Sequence, residues 1–153
     1  MSKPDPSRAV RPTRQALGNQ ATLAREIEAL GRRAVTLQAD LADPAQAAAL
    51  VARAIDALGA LHCVVNNASL FEYDSADAFS PALLDAHMRT NLTAPLLLAQ
   101  ALHAATPEGS QACVVNLLDQ KLYNLNPDFL SYTLSKSALH TATAMLAQAL
   151  APK

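Results

Sequence analysis

The sequence predicts an α/β fold with a parallel sheet, and three observations support that prediction. Short apolar, β-branched runs alternate with longer segments of helical periodicity from end to end of the chain. This alternation is typical of parallel strands joined by right-handed crossovers. Alanine and leucine dominate the composition and tryptophan is absent, which favours helices over a β-sandwich. At 153 residues, the chain is long enough for one domain with a core and too short for two.

The N-terminal segments are predicted as a tail, a helix and a strand. Residues 1–20 are polar, contain proline and lack clear periodicity, which predicts a disordered tail. In residues 21–30 apolar side chains recur at helical spacing, and Gly31 supplies a stop at the C-terminal end. Residues 34–41, AVTLQADL, are a short β-branched run and predict a strand.

The next helix and strand have clear boundary signals. Residues 43–59 predict a helix in which Asp43 is the N-cap, Pro44 occupies the first helical position and Gly59 ends the helix. Residues 61–68, LHCVVNNA, predict a strand that is apolar almost throughout, as is typical of a sheet covered on both faces.

The C-terminal half predicts two long helices on either side of another strand. One helix runs from about residue 81 to residue 105, and Pro95 within it predicts a kink or a break. Residues 111–119, QACVVNLLD, predict a third buried strand. After a loop, residues 130–150 predict a long helix.

Charge, apolar runs and cysteines bound the class of protein. Twelve basic against thirteen acidic residues give a net charge of −1, which argues against nucleic acid or an anionic membrane surface as a partner. There is no apolar run of about eighteen residues and no signal-peptide pattern, so a soluble cytoplasmic protein is expected. No metal-binding residues are predicted. Cys63 and Cys113 lie inside apolar runs. A disulfide is one interpretation, but two small buried thiols in a reducing compartment is the favoured one.

Polar residues follow three of the predicted strands, at the point where each strand ends. They are Asp40, residues 66–69 (Asn-Asn-Ala-Ser) and Asp119. In an open parallel sheet, ligands gather at the carboxyl ends of the strands. A polar turn after one strand is ordinary, but three such turns together predict a ligand site at this rim.

Tyr132 and Lys136 lie four residues apart in the last predicted helix and therefore share one helix face. An ammonium group beside a phenol stabilises the phenolate, so we expect the pKa of Tyr132 to fall from about 10 towards neutrality. Such a group is a proton donor suited to physiological pH. A surface Tyr–Lys pair on an amphipathic helix is the alternative interpretation of these two residues taken alone.

Five stretches, in order and at matching spacing, resemble motifs of the short-chain dehydrogenase/reductase family. They are ADLAD (39–43), VVNNAS (64–69), RTNLTAP (89–95), ACVVNLLD (112–119) and YTLSK (132–136). The resemblance implies that residues 21–153 form a partial Rossmann-like domain with a doubly wound parallel sheet. It also implies a homo-oligomer formed through the helices that carry Asn91 and Tyr132.

The resemblance implies hydride transfer from NADPH to a C=N or C=O bond of a small-molecule substrate, with NAD as the open alternative. Tyr132 would donate the proton, alone or together with Asp119. Lys136 would hold the nicotinamide ribose and lower the pKa of Tyr132. Asn91 would distort its helix and anchor a water that feeds protons to Lys136. The implied cofactor-binding residues are Asp40, Leu41, Asn67, Ala68, Ser69, Tyr132 and Lys136.

Asp119 stands where most of the family has serine, and this substitution resembles the pteridine reductases. Those enzymes also tend to carry N-N-A-S-x-F, here NNASLF (66–71), which implies that Phe71 stacks on a flat pterin ring. A carboxyl group can bond the ring-nitrogen and amino edge of a pterin, and can relay a proton if its pKa is raised. The alternatives are Asp119 as a solvated loop residue or cap, and Phe71 as a core plug.

One part of the family pattern has no counterpart in the sequence. A Gly-rich turn after the first strand would bind the cofactor pyrophosphate, but Gly18, Gly31, Gly59 and Gly109 form no such cluster. The resemblance therefore implies a sheet without its first two strands and its C-terminal strands, with residues 1–20 as a disordered or non-homologous tail. Two other functions stay open. One is a catalytically inactive remnant that only associates with other subunits, and the other is a general carbonyl or sugar reductase in which Asp119 is incidental.

Overall fold

The computed structural model describes residues 14–153, with side-chain environments from residue 20 onward. The described residues divide into two compact units, one that ends at Gln38 and one that spans Ala39–Lys153. In the first unit, helix α1 spans Arg14–Ala29 and therefore begins before the start predicted at residue 21. The reason is local: residues 14–20 are mostly good helix formers, and one internal glycine costs only about 1 kcal/mol. The rest of the predicted tail, residues 1–13, lies outside the described residues.

Residues 32–40 form neither helix nor strand, so the strand predicted over 34–41 is wrong. A strand needs a neighbour to pair with its backbone N–H and C=O groups. Within residues 14–153, the one ladder joins two other strands. In the classic doubly wound order 3-2-1-4-5-6, residues 34–41 correspond to the third strand and residues 63–66 to the fourth. The third strand pairs with the second and not with the fourth. This β-branched run therefore has no strand beside it in the described part of the chain.

The second unit alternates helices and strands, as the sequence predicts. Its elements are α2 (Pro44–Leu58), β1 (Cys63–Asn66), α3 (Pro81–Met88), a π-helical turn (Arg89–Thr93), α4 (Ala94–Ala105), β2 (Cys113–Asn116), a 3-10 turn (Gln120–Leu122) and α5 (Leu130–Leu150). The bounds of α5 are those predicted. None of the described helices is long and apolar enough to cross a membrane.

The predicted boundary signals of α2 are confirmed. The Asp43 carboxylate accepts the N–H groups of Ala45 at 2.9 Å and Gln46 at 3.4 Å, and Pro44 occupies the first helical position. Gly59 follows the last turn with φ of 90°, a conformation that favours glycine. These contacts satisfy backbone groups that the ends of a helix otherwise leave unpaired.

The two strands form a parallel sheet, which confirms the predicted α/β class. Cys63 lies opposite Cys113, and Asn66 lies opposite Asn116. The chain passes from β1 to β2 through α3 and α4, since parallel neighbours need a long crossover connection. The carboxyl ends of both strands therefore reach the same edge of the sheet.

The break predicted near Pro95 is present as the π-helical turn Arg89–Thr93. Pro95 has no N–H, and its ring displaces the carbonyl four residues earlier, which belongs to Asn91. The helix widens there, and the Ala94 N–H donates to the Arg89 carbonyl. This turn carries Asn91 into the interior, where the residue is 1% exposed.

The core lies on one side of the sheet. There α2 packs on α4, while α5 packs on α3 and on the π-helical turn. Its buried apolar side chains include Ala47, Val51, Leu98, Leu102 and Leu139. Burial of these side chains is the main stabilising contribution that the described residues supply.

The opposite face of the sheet is exposed, so the expectation of a sheet covered on both faces is wrong for the described residues. Val65 and Val115 are 57% and 42% exposed. Cys63 and Cys113 are exposed free thiols rather than the buried pair predicted. Successive strand residues point to opposite faces, and the helices of the second unit cover the face of Asn66.

Candidate active site

The phenol of Tyr132 and the carboxylate of Asp119 are in direct contact. Tyr132 lies in the first turn of α5, is 5% exposed, and its hydroxyl donates a hydrogen bond to Asp119 Oδ2 at 2.8 Å. Asp119 follows β2, and its Oδ1 accepts the Lys121 N–H at 2.8 Å, which caps the 3-10 turn. Asp119 therefore caps the 3-10 turn, as one alternative interpretation predicts, and is a hydrogen-bond partner of Tyr132 as well.

Lys136 lies one turn after Tyr132 on α5 and is 3% exposed. Its Nζ donates a hydrogen bond to the Leu117 carbonyl at 2.7 Å and lies 5.8 Å from the centroid of the Tyr132 ring. Burial lowers the pKa of Lys136, and the negative charge of Asp119 opposes that shift. The predicted shared face is confirmed, but the ammonium group bonds the main chain after β2 rather than the phenol.

The surroundings of Tyr132 act against the expected fall in its pKa. Burial, followed by the hydrogen bond and negative charge of Asp119, raises the pKa of Tyr132 to about 12. The Lys121 N–H and then the Tyr132 hydroxyl hold the pKa of Asp119 below its usual value. The expected fall of the Tyr132 pKa towards neutrality is therefore wrong, because the carboxylate bonds the phenol directly and the ammonium does not. A raised pKa, the condition for a proton relay through Asp119, is not met. At neutral pH Asp119 is an anion and Tyr132 keeps its proton.

The side chain of Asn91 links the segment after β1 to α5. Its Oδ1 accepts the Leu70 N–H at 2.7 Å and the Ser69 hydroxyl at 3.2 Å. Its Nδ2 donates to the Leu70 carbonyl at 2.9 Å and to Ser135 Oγ at 3.0 Å. The helix is distorted at Asn91, as predicted, although the ring of Pro95 accounts for the π-helical turn. The water relay towards Lys136 stays a prediction.

Two serines connect Asn91 to Tyr132. The Ser69 hydroxyl bonds Asn91 and also the phenol of Tyr132, where it opposes the rise in pKa. Ser135 accepts from Asn91 and donates to the Tyr132 carbonyl at 2.7 Å. Sequence reasoning identifies Ser69 through its motif and misses Ser135. The signal available for Ser135 is its position three residues after Tyr132, on the same helix face.

Phe71 lies beside Tyr132 in a cluster of aromatic rings. Its ring stacks on Phe129, with centroids 4.3 Å apart and 8° between the planes, and meets the Tyr132 ring edge-on at 4.6 Å. Tyr73 packs edge-on against Phe129 at 5.2 Å. Because Phe71 is 55% exposed, the core-plug interpretation is wrong. Sequence reasoning misses Phe129, since a single aromatic residue after a loop carries no periodic signal.

The predicted cofactor-binding residues fall into two groups. Leu41, Asn67 and Ala68 line one cavity of about 240 Å³, together with apolar side chains of α2 and α4. Asp40 precedes Leu41 in the chain, and its carboxylate accepts the Ala42 N–H at 2.9 Å, within its own turn. The second group is Ser69, Tyr132 and Lys136. These residues lie at or near the Tyr132 phenol and the Asp119 carboxylate, outside the lining of this cavity. Residues 14–153 contain no group of three or more His, Cys, Asp or Glu side chains that suits a metal ion.

Comparison with protein families and curated proteins gives a consistent assignment. A profile of the family described as short chain dehydrogenase matches residues 10–153. The 2-dehydro-3-deoxy-D-gluconate 5-dehydrogenase of Dickeya dadantii is 30% identical over 123 residues, which cover 80% of this chain and 49% of that protein. An uncharacterized oxidoreductase of Mycobacterium tuberculosis is 33% identical over 140 residues, 86% of this chain and 50% of that protein. The chain spans about half the length of the curated relatives it matches.

Solved structures show the same fold. FolM alternative dihydrofolate reductase 1 from Brucella canis, complexed with NADP, has a TM-score of 0.84 and 43% identity, covering 90% of this chain and 56% of that one. A blue fluorescent protein from a metagenomic library, in complex with NADPH, has a TM-score of 0.82 and 33% identity, covering 92% and 56%. The helices and the parallel strand pair thus form part of a Rossmann-like α/β fold. The chain belongs to the short-chain dehydrogenase/reductase family.

Proposed function

We propose that this chain serves an NADPH-dependent reductase that adds hydride to a pterin-like ring or to another C=N or C=O bond, with Tyr132 as the proton donor. The observation that carries the proposal is the 2.8 Å hydrogen bond between Tyr132 and Asp119 at the carboxyl edge of the parallel sheet. NADPH supplies the hydride when it is bound. Similar structures that hold NADP or NADPH support this choice of cofactor.

Tyr132 enters the reaction as a protonated phenol. Its pKa of about 12 makes it a weak acid, so proton transfer before hydride addition is unfavourable. Hydride addition to a C=N bond leaves a nitrogen anion that is more basic than a phenolate. Transfer from Tyr132 then becomes favourable, and we therefore propose that the proton follows the hydride or moves together with it.

Asp119 serves recognition in this proposal rather than proton transfer. Its lowered pKa keeps it ionised at neutral pH, and an ionised carboxylate only accepts hydrogen bonds. The ring-nitrogen and amino edge of a reduced pterin presents adjacent N–H donors, which a carboxylate can accept in pairs. This favours Tyr132 alone as the donor over Tyr132 acting together with Asp119.

The residues present fit the nicotinamide end of the cofactor. Lys136 and Tyr132 would hold the nicotinamide ribose, with Ser69 beside the phenol. The cavity of Leu41, Asn67 and Ala68 would take the adenine side, with Asp40 next to Leu41 in the chain. The support is that those three residues share one cavity. The glycines of the sequence form no Gly-rich turn for the pyrophosphate, so we expect weak cofactor binding by this chain.

Two observations support a flat, pterin-like substrate over a general carbonyl compound. The half-exposed ring of Phe71 lies beside Tyr132 and offers an aromatic face for stacking. One similar structure is a dihydrofolate reductase by name, and dihydrofolate carries a dihydropterin ring. The general carbonyl or sugar reductase is therefore the second candidate.

The decisive experiment measures NADPH oxidation by the purified chain with dihydrobiopterin, with dihydrofolate and with a small aliphatic diketone. We expect turnover with the two dihydropterins and little with the diketone. Asp119→Ser, which restores the residue most common in the family, should weaken dihydropterin use far more than diketone use. Lys121→Ser is the control, because it removes a neighbouring side-chain charge and keeps the main-chain N–H that bonds Asp119.

Each other result of this experiment supports a different function. Turnover of the diketone alone, unchanged by Asp119→Ser, would identify a general carbonyl reductase. Neither turnover nor NADPH binding, measured by thermal shift on a folded chain, would favour the inactive remnant that only associates with other subunits.

We also propose a cytoplasmic homo-oligomer that forms through the helices carrying Asn91 and Tyr132. The support is that α5 exposes apolar side chains along its length, with Leu134 44% and Met145 65% exposed. Sedimentation equilibrium should then give a mass above that of one chain, and Met145→Lys should shift it towards the monomer. A monomer at all concentrations would refute this interface.

A further inference from the structure

Asp74 is a buried carboxylate that fastens the loop after β1 to the first turn of α5. It is 3% exposed. Its two oxygens accept the Ser131 N–H at 3.0 and 3.3 Å, and Oδ2 also accepts the Ser131 hydroxyl. Ser131 itself is fully buried. No residue of the sequence motifs described above is involved in this contact.

The main chain of Asp74 takes part in the same contact. Its carbonyl accepts the N–H groups of Phe129 at 2.8 Å and Leu130 at 3.4 Å. Phe129 occupies the N-cap position of α5 with φ of 58° and has no polar side chain to cap the helix. Asp74 therefore satisfies, from a distant loop, N–H groups that this helix start would otherwise leave unpaired. Its negative charge also lies at the positive end of the helix dipole.

The same loop carries the aromatic face of the candidate site. Phe71 stacks on Phe129, and Tyr73 packs edge-on against Phe129. Ser131 immediately precedes Tyr132. One carboxylate thus joins the segment that bears Phe71 to the turn that bears Phe129 and Tyr132, and hydrogen bonds fix the spacing between these groups.

We propose that Asp74 is a positioning residue, which holds the Phe71–Phe129 stack at a fixed place beside the Tyr132 hydroxyl so that a flat conjugated ring meets the proton donor. The proposal rests on the reductase function proposed above and adds the residue that sets its preference for flat rings. A shift of about 1 Å between reacting groups lowers turnover by about 100-fold, so a tether of this kind has a measurable effect.

The test compares Asp74→Ala with Asp74→Asn and with the control Asp77→Asn. Asp77 is an exposed acidic residue of the same loop, and its carboxylate accepts from Ser75 within the loop rather than from α5. Each variant is assayed with dihydrobiopterin and with a small aliphatic diketone. The ring-proton NMR shifts of Phe71 and Phe129, which report their stacking, are recorded without cofactor or substrate.

We expect Asp74→Ala to raise KM for dihydrobiopterin about tenfold and to lower kcat for both substrates, while KM for the diketone stays unchanged. The ring shifts should move towards those of unstacked phenylalanine. Asp74→Asn keeps an acceptor for the Ser131 N–H and should recover most of the loss, and Asp77→Asn should match the wild type. A purely structural role would lower kcat equally for both substrates, through loss of folded protein, and leave every KM unchanged.

Failure of this inference is separable from failure of the proposed function. If Asp74→Ala leaves the ring shifts and the KM for dihydrobiopterin unchanged, Asp74 does not position the stack and the inference is overturned. If the wild type turns over neither substrate, the reductase function fails. In that case unchanged ring shifts in Asp74→Ala still overturn the inference, and shifted ones support the tether.

Discussion

The two faces of the parallel sheet differ in how completely their side chains are buried and hydrogen-bonded. On the helical face, Asn91 and Lys136 are 1% and 3% exposed, and every buried side-chain nitrogen and oxygen of the described residues has a hydrogen-bond partner. On the other face, Val65 and Val115 stay about half exposed, and the thiols beside them are free. The buried polar groups of the second unit are therefore all hydrogen-bonded, whereas one face of its sheet stays exposed.

The contacts that position the candidate site therefore do not depend on what covers the exposed face of the sheet. The hydrogen bonds of Tyr132 join it to Asp119, Ser69 and Ser135, all within residues 39–153. An exposed apolar sheet face loses hydrophobic stabilisation and favours association. We therefore expect substitutions on the helical face to have large effects, and substitutions on the exposed face to have small ones.

The largest effect is expected for Tyr132→Phe. Removal of a general acid lowers kcat by about 100- to 10,000-fold, while loss of one hydrogen bond to Asp119 changes the free energy of unfolding by only about 1–2 kcal/mol. Steady-state NADPH oxidation with dihydrobiopterin measures the first quantity, and urea unfolding measures the second. Tyr123→Phe is the matched control, because Tyr123 is 84% exposed. Activity within threefold of the wild type in Tyr132→Phe would remove Tyr132 from the reaction.

Asn91→Ala should give the largest loss of stability among single changes at the site. The variant removes the acceptor of the Leu70 N–H and the donor to the Leu70 carbonyl, and it leaves Ser135 with only its bond to the Tyr132 carbonyl. Since each such group costs about 1–3 kcal/mol, we expect about 3 kcal/mol less free energy of unfolding by urea titration. Asn124→Ala, at an exposed position, should change it by less than about 0.5 kcal/mol. Equal losses in the two variants would contradict the bracing role of Asn91.

The sequence predicts the helix ends, the helix cap and the helix break, because these features depend on local signals. The ends of α5 and the capping of α2 by Asp43 follow from periodicity and cap residues, and Pro95 explains the break before α4. The contact between Asp119 and Tyr132 was also predictable, because both residues occupy family motif positions at the same sheet edge. These features depend on neighbours in sequence or on motifs with a fixed place in the fold.

The sequence could not predict features that depend on distant partners. The β-branched run over 34–41 has strand propensity, but propensity does not form a strand without a paired neighbour. The i, i+4 spacing of Tyr132 and Lys136 gives no sign that the ammonium bonds the Leu117 carbonyl instead of the phenol. Asp74 lies 57 residues before its partner Ser131, and no short-range signal joins them.

The raised pKa of Tyr132 predicts how stability depends on alkaline pH. Because folding raises this pKa from 10.0 to about 12, protonated Tyr132 contributes fully below pH 10, and the contribution is lost as pH rises towards 12. The full loss is about 3 kcal/mol, from 1.36 kcal/mol for each of the two pKa units. The difference in unfolding free energy between wild type and Tyr132→Phe should therefore shrink from pH 10 to 12. Asp119 has a lowered pKa, so its contribution is lost only as pH falls below its usual 3.8.

Asp119→Asn tests the cause of that alkaline effect. The variant removes the negative charge beside the phenol, so the pKa of Tyr132 should fall from about 12, although burial still holds it above its usual value. Phenolate absorbance during alkaline titration measures this, with Tyr123→Phe and Tyr73→Phe identifying the other two tyrosines. No downward shift of the highest tyrosine transition in Asp119→Asn would show that burial alone raises the pKa.

The smallest effect is expected on the exposed sheet face. Val65→Thr replaces a methyl group by a hydroxyl that water can solvate, so the free energy of unfolding should change by less than about 0.5 kcal/mol. The same substitution at Val51, which is 3% exposed, buries a hydroxyl in the α2 core and should cost about 1–3 kcal/mol. In parallel, Cys63 and Cys113 should both react with a thiol reagent in the native chain at rates near those of a free thiol. A Val65→Thr cost equal to that of Val51→Thr, together with protected thiols, would mean that this face is covered in solution, and the contrast between the two faces would no longer hold.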